Sequence, residues 1–215
     1  MINNHLIEIV KSLEFFIVEN IRTARRFIKK LDNNKNIDET TFFLINKHNK
    51  FNFQSEILKT LTEKKNIGIL SDSGYPCVAD PGSMILKFAH EKNIKVIPLI
   101  GPSSIILALS SSGLNGQKFS FYGYLSIDSA NRKKEIHLAQ KKVIKNDETQ
   151  IFIETPFRNQ KTFEDLVNNC DEKLNLCCAV NLTSHQEIIQ TKKIGHWKKI
   201  IFKLPKQPAI FLIGK

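Results

Sequence analysis

Residues Ile67 to Leu109 read IGILSDSGYPCVADPGSMILKFAHEKNIKVIPLIGPSSIILAL. A short apolar run, Ile67–Leu70, empties into Ser71-Asp72-Ser73-Gly74. A tight Asp80-Pro81-Gly82 turn follows, then a helical segment, Ser83–Lys92. A second apolar run, Lys95–Ile100, ends in Gly101-Pro102-Ser103-Ser104 and opens a further helix, Ser103–Ser112. Strand-length apolar runs alternating with helices predict a mainly parallel sheet. In such sheets the loops after the strands gather at one edge, where ligands bind.

The same alternation extends toward the N-terminus. Residues 5–18 hold a helix, HLIEIVKSL, that runs into a strand, Phe15–Val18, closed by Glu19-Asn20. Thr23–Leu31 has the spacing of a basic amphipathic helix. With Arg22, Arg25 and Arg26 it reads either as a solvated face or as an anion-facing one. Asp32–Asp38 is a polar loop, Thr40–Ile45 a strand and Ser55–Lys65 a helix.

Beyond Gly113-Leu114-Asn115-Gly116, which reads as a linker, the pattern changes. Lys118–Leu125 is an aromatic, alternating strand and Asn131–Lys145 a charged helix. Thr149–Glu154 is a strand ending in Thr155-Pro156-Phe157-Arg158, and Gln160–Cys170 a helix. Leu176–Leu182, Glu187–Ile194 and Pro208–Ile213 are late strands with few helices between them, which favours antiparallel members. The expected class is α/β with two lobes, 1–116 with a mainly parallel sheet and 117–215 with a mixed sheet.

An apolar fraction of 41% and a charged fraction of 25% fit a soluble globular chain. No run approaches the roughly 20 apolar residues of a membrane span, and the N-terminus lacks the pattern of a secretory signal. The expected location is the cytoplasm, with no membrane partner. Cys77, Cys170, Cys177 and Cys178 form no C-x-x-C pair, and the six His complete no metal-ligand spacing. They read as reduced, packed thiols in a protein without a metal. The net charge of +11 favours a polyanion such as RNA. Of the 32 basic residues 27 are Lys, however, and a genome rich in AT codons would raise Lys as well.

Gly74 and Gly82 permit positive φ or close backbone approach, which suits a loop wrapped around a small ligand. Ser71, Ser73, Ser103 and Ser104 offer hydroxyls, and Asp72 a carboxylate suited to a ribose diol or an ammonium group. Neither loop matches the dinucleotide or Walker A glycine patterns. The plain alternative is that Asp72 and Asp80 cap turns and Ser103 caps the helix after Pro102. Phe27 and Phe88 read as core. Tyr122 and Tyr124 read as strand packing or base stacking, and Trp197 as a loop anchor or an RNA contact.

Ser71-Asp72-Ser73-Gly74-Tyr75-Pro76 followed by Ala79-Asp80-Pro81-Gly82 resembles the S-D-A-G-x-P…S-D-P-G segment of the tetrapyrrole methylase superfamily. Three further segments agree in order and spacing with its ribosomal RNA small-subunit methyltransferase I branch. They are Pro98 to Ser104, Phe119 to Leu125, and Phe152-Ile153-Glu154-Thr155-Pro156-Phe157-Arg158. The resemblance implies a tetrapyrrole-methylase-like, two-domain homodimer that binds S-adenosylmethionine between its domains. Carried onto this chain, Ser71, Asp72, Ser73, Gly74, Pro76, Ser103 and Ser104 would line the cofactor. Pro208 and Ala209 would supply backbone contacts to its adenine. The implied reaction is methylation of a cytidine ribose 2′-hydroxyl in small-subunit ribosomal RNA, so the implied partner is that RNA or the small ribosomal subunit. Glu154 is then the candidate for hydrogen bonding or proton handling and Arg158 for an anion, against the alternative of a Glu–Arg pair that fixes the loop.

Two departures bear on activity. The family begins with a strand and a loop beside the cofactor, whereas this sequence starts at the helix after it; the expected result is a gap or an open edge in the first sheet and one cofactor wall fewer. The branch carries R-E-L-T-K where this chain has Asn181-Leu182-Thr183-Ser184-His185. A tetrapyrrole or other small-molecule methyltransferase, and a non-catalytic S-adenosylmethionine- or RNA-binding relative, therefore stand as alternatives.

Overall fold

The computed structural model describes residues 3–45, 53–63 and 65–215. Lys64, inside the expected helix Ser55–Lys65, lies outside them. The chain forms two compact units, one up to Pro102 and one from Ser103.

The first unit is built on three parallel strands, β1 (Phe15–Val18), β2 (Thr41–Leu44) and β3 (Ile67–Leu70), in the order β2-β1-β3. The central β1 is apolar on both sides, as a strand covered on both faces must be. Phe16 and Val18 pack on α1 (Asn4–Ser12) and α2 (Ile21–Leu31), among Val10, Ala24 and Ile28. Ile17 faces the other way, against Phe43, Ile57 and Ile85, which brings in α3 (Phe53–Thr62) and α4 (Ser83–Glu91). Asn20 starts α2, its side-chain oxygen accepting from the Arg22 and Thr23 N–H groups.

The expected strand Lys95–Ile100 does not form. Among the described residues it joins no ladder, Pro98 cannot donate to one, and Ile97 and Ile100 stand 64% and 77% exposed.

The second unit holds a mixed sheet of order β4-β5-β8-β6-β7. Its strands are β4 (Phe119–Gly123), β5 (Thr149–Glu154), β6 (Asn175–Val180), β7 (Ile188–Lys193) and β8 (Ala209–Gly214). Only β4 and β5 run parallel; β8 lies antiparallel between β5 and β6. Phe152, Leu176, Cys178 and Phe211 face α6 (Ser129–Asn146), α7 (Asn159–Asn169) and the short α8 (Ile194–Trp197). Ile151, Cys177, Ala179, Ile210 and Leu212 face the opposite way, onto Ala108 and Leu109 of α5 (Ser104–Ser112).

This packing moves the division between units from the expected Gly116 to Pro102. The helix α5 belongs to the second sheet, and Gly113, at φ 72°, only closes it in a left-handed C-cap. The expected strand Glu187–Ile194 forms as β7, ending one residue earlier, and the single helical turn of α8 that follows buries Trp197. Its Nε1 donates to the Leu176 carbonyl at 2.9 Å and its ring meets Phe163 edge-on at 5.3 Å, so Trp197 is an anchor of the core. Phe27 is a partly buried member of the first core, and Phe88 is half-buried. Among the described residues no helix is long and apolar enough to cross a membrane.

Candidate functional site

The loop after β3 carries four residues with positive φ. Gly74 lies at 78°, Cys77 at 68°, Ala79 at 63° and Gly82 at 135°. For Cys77 and Ala79 this conformation costs about 1 kcal/mol or more each, so the surrounding contacts must hold it. Ser71 and Asp80 do so from the two ends. The Ser71 hydroxyl bonds the Asp80 carboxylate, lies 2.9 Å from the Ser73 carbonyl and accepts the Ser73 N–H at 3.1 Å. Tyr75 holds a second connection, its hydroxyl accepting the Gly101 N–H at 2.9 Å. Ser71 is therefore a closing residue of the loop. Asp72 is exposed, and among the described residues its carboxylate makes no hydrogen bond or ion pair. Of the two candidate turn caps, the structure gives that part to Asp80 and leaves the Asp72 carboxylate facing solvent.

Sequence reading passed over Glu19 as a strand terminator. The register Val18↔Leu70 places it beside Ser71, and its carboxylate accepts the Asp72 N–H at 3.3 Å. Burial pushes the Glu19 carboxyl above its ordinary range, and the neighbouring Asp80 and Asp72 charges add to this. Burial likewise raises the Cys77 thiol, again with Asp80 and Glu19 adding. The signal that would have found Glu19 is pairing: in parallel, in-register strands, residues just past the C-terminal ends are neighbours.

In the second unit Ser103 caps α5, its Oγ accepting the Ile106 N–H at 3.5 Å, a long bond; Ser104 is the exposed first residue of that helix. Pro208 and Ala209 open β8. The Pro208 carbonyl accepts the Asn181 N–H at 3.0 Å, and Ala209 sits in register between Glu154 and Val180, 2% exposed.

The Glu154 side chain is wholly buried. Its Oε1 accepts from the Thr155 N–H at 2.8 Å and from the Thr155 hydroxyl at 3.3 Å. Its Oε2 accepts from the Thr162 hydroxyl at 2.8 Å and pairs with Arg158 Nη2 at 3.2 Å. Arg158 Nη2 donates in turn to the Leu125 carbonyl at 2.8 Å. Both carboxylate oxygens are thus engaged by the protein. This is the arrangement of a Glu–Arg pair that fixes the loop, the alternative weighed against proton handling at Glu154. Arg132, 5% exposed, shares the work: Nε lies 2.7 Å from Asp165, and Nη1 donates to the Ser126 and Ile127 carbonyls. Tyr122 packs against Phe152 at 5.7 Å yet is 40% exposed, and Tyr124 is 52% exposed. Among the described residues no group of three His, Cys, Asp or Glu side chains is placed to hold a metal ion.

Residues 8–196 match the sequence profile of the Tetrapyrrole (Corrin/Porphyrin) Methylases. The chain belongs to this family. Ribosomal RNA small subunit methyltransferase I of Buchnera aphidicola subsp. Baizongia pistaciae is 30% identical over 216 residues, 99% of this chain and 71% of that protein. The proteins of the same name from Vibrio cholerae serotype O1 and Bacillus subtilis are 30% and 35% identical over 189 and 156 residues. Those two matches cover 88% and 73% of this chain, but 62% and 50% of the relatives. Several of the curated relatives it matches are thus spanned for less than two thirds of their length. Within the tetrapyrrole methylases the chain falls in this branch.

Two solved structures share the fold. That of the methyltransferase CobJ aligns with a TM-score of 0.63 and 13% identity, over 100% of this chain and 88% of that one. That of cobalt precorrin-4 methyltransferase CbiF aligns at 0.59 and 11%, over 99% and 88%.

Proposed function

We propose that this tetrapyrrole methylase is an S-adenosylmethionine-dependent methyltransferase acting on a ribose 2′-hydroxyl of small-subunit ribosomal RNA, as a homodimer in the cytoplasm. The observation that carries the substrate is the similarity, over most of the chain, to proteins named ribosomal RNA small subunit methyltransferase I. The loop after β3 supports the cofactor. Its residues suit the group chemically: the Asp72 carboxylate is an unspent acceptor for hydroxyls or an ammonium, and a Cβ on Gly74 would meet nothing within 4 Å, so the backbone there is open to close approach.

When bound, the cofactor supplies an electrophilic methyl on a sulfonium, which needs no metal. The protein's task is alignment, and a loop fixed by Ser71, Asp80 and Tyr75 before the ligand arrives performs it at little further entropic cost. In this reading Asp72, Ser73, Gly74 and Pro76 line the cofactor together with Ser103, Ser104, Pro208 and Ala209. Glu154 and Arg158 are positioning residues that hold the Leu125 and Ser126 carbonyls.

Calorimetry tests the cofactor half. S-adenosylmethionine should bind in the micromolar range, and Asp72→Ala should weaken binding about tenfold with unchanged melting, the loss of about one good polar contact. An intact, folded chain that binds no cofactor overturns the reading. Tritiated methyl transfer to small ribosomal subunits lacking the modification tests the substrate half. Incorporation into a tetrapyrrole in place of RNA would move the protein to the small-molecule side of its family, and cofactor binding without transfer to either would mark a non-catalytic relative.

A further inference from the structure

We infer that the groove between the β6–β7 turn and the segment before β8 docks a single strand of RNA; this rests on the RNA half of the proposed function. One wall is residues 203–207 and the other Asn181, Gln186 and Ile188, enclosing about 480 Å³, within the size range of small-ligand sites.

Three observations favour a nucleotide strand. The first is charge. Residues 192–206 contain six Lys and no acidic residue. Lys198 is paired with Glu172 and Lys193 bonds the Lys173 carbonyl, whereas Lys203 and Lys206 are exposed and, among the described residues, within ion-pair distance of no carboxylate. The nearest acid in sequence on the facing wall, Glu187, turns back to accept the Thr183 N–H at 2.9 Å.

The second observation is the lining. Among the described residues the side-chain amides of Asn181, Gln186 and Gln207 make no hydrogen bond, so three groups that each donate and accept face the groove beside the apolar Ile188 and Pro205. Donor–acceptor amides with an apolar floor suit the edges and faces of bases, and the two ammonium groups suit phosphates.

The third is rigidity. The backbone of residues 202–207 is bonded from α7, and the Phe202 and Leu204 side chains pack inward on the core beside Trp197 and Phe163. The buried Asn159 donates to the Pro205 and Gln207 carbonyls at 2.7 and 2.9 Å. Gln160 donates to the Phe202 carbonyl at 3.3 Å and accepts the Leu204 N–H at 2.8 Å. Lys203 and Lys206 thus project from a backbone fixed before RNA arrives, and less entropy is lost on binding.

The test is fluorescence anisotropy with a labelled 12-nucleotide single-stranded RNA and the full chain, across a salt series. Lys203→Gln/Lys206→Gln should weaken binding about tenfold at 0.1 M salt and reduce the slope of log affinity against log salt by about 1.4, two phosphates at about 0.7 each. Lys141→Gln/Lys145→Gln removes equal charge from the exposed face of α6 and should change affinity less than threefold. Equal losses for both pairs, or no RNA binding by the wild type, overturn the inference. Weakened S-adenosylmethionine binding in the Lys203/Lys206 variant with RNA affinity intact would assign the groove to the cofactor and overturn it as well. Wild-type calorimetry judges the cofactor half of the proposed function separately.

Discussion

Glu154→Gln separates a positioning role from a catalytic one. The substitution keeps the shape and removes the charge. Oε2 now receives a hydrogen bond from Thr162 at 2.8 Å and an ion pair from Arg158 at 3.2 Å, while Oε1 receives two bonds from Thr155. An amide has one acceptor oxygen, so its NH2 group must face either the Thr155 N–H or the pair formed by Thr162 and Arg158. One donor-to-donor clash inside a fully buried site costs about 1–3 kcal/mol, and converting charged to neutral hydrogen bonds costs about 1 more. The Arg158 side chain is 28% exposed, so solvent screens its lost partner, and the pair adds less than a fully buried one would. The expected sum is about 2–4 kcal/mol, read as a lower urea midpoint at unchanged slope. Thr162→Val should cost about 1.5–3 kcal/mol by removing one bond to the same carboxylate. A Glu154→Gln protein as stable as wild type that has lost methyl transfer would refute this reasoning and return the residue to the chemistry.

Gly74→Ala and Gly82→Ala should differ. Both carry positive φ, but a Cβ on Gly74 meets nothing, whereas one on Gly82 lies 2.9 Å from Cys77 Sγ. About 1 kcal/mol is expected for the first and about 2–4 for the second by chemical denaturation. Glu19→Gln should stabilise the protein at pH 7 by up to about 0.5 kcal/mol. A carboxyl whose folded pKa is raised contributes stability below its unfolded pKa that is lost as pH rises through the folded one, so melting temperatures of variant and wild type should converge toward pH 4. Iodoacetamide on the native protein at pH 8 should label Cys77 first. Cys77 is half-buried, whereas Cys170 is buried with its thiol pushed up to about 12, and Cys177 and Cys178 are buried and raised too; peptide mass spectrometry reads the order.

Much of the fold was legible because its strands are local apolar runs: Ile67–Leu70 and Thr149–Glu154 stand where the sequence places them. Lys95–Ile100 is also an apolar run and forms no strand, since a strand requires a partner, Pro98 cannot donate to one, and the run itself does not say whether a partner is present. The sequence places a boundary at Gly116 because Gly113 and Gly116 punctuate the chain strongly, whereas the compact units divide after Pro102, since the attachment of α5 to the second sheet depends on residues far along the sequence. At the candidate site, small and turn-forming residues mark a stretch that is indeed a turn-rich loop. They did not separate Ser71 and Asp80, which close it, from Asp72, which faces outward. That distinction, like the neighbourhood of Glu19, arises from strand register.

The first turn of α7 has a consequence for how this surface can change over time. Arg158, Asn159 and Gln160 bond main-chain atoms of Leu125, Ser126 and the 202–207 segment, whose Phe202 and Leu204 side chains pack inward. The main-chain bonds do not depend on the identity of the outward-facing side chains. Residues 203, 206 and 207 are free to mutate toward new partners while the backbone that presents them stays in register, so one helix start makes the neighbouring surface evolvable.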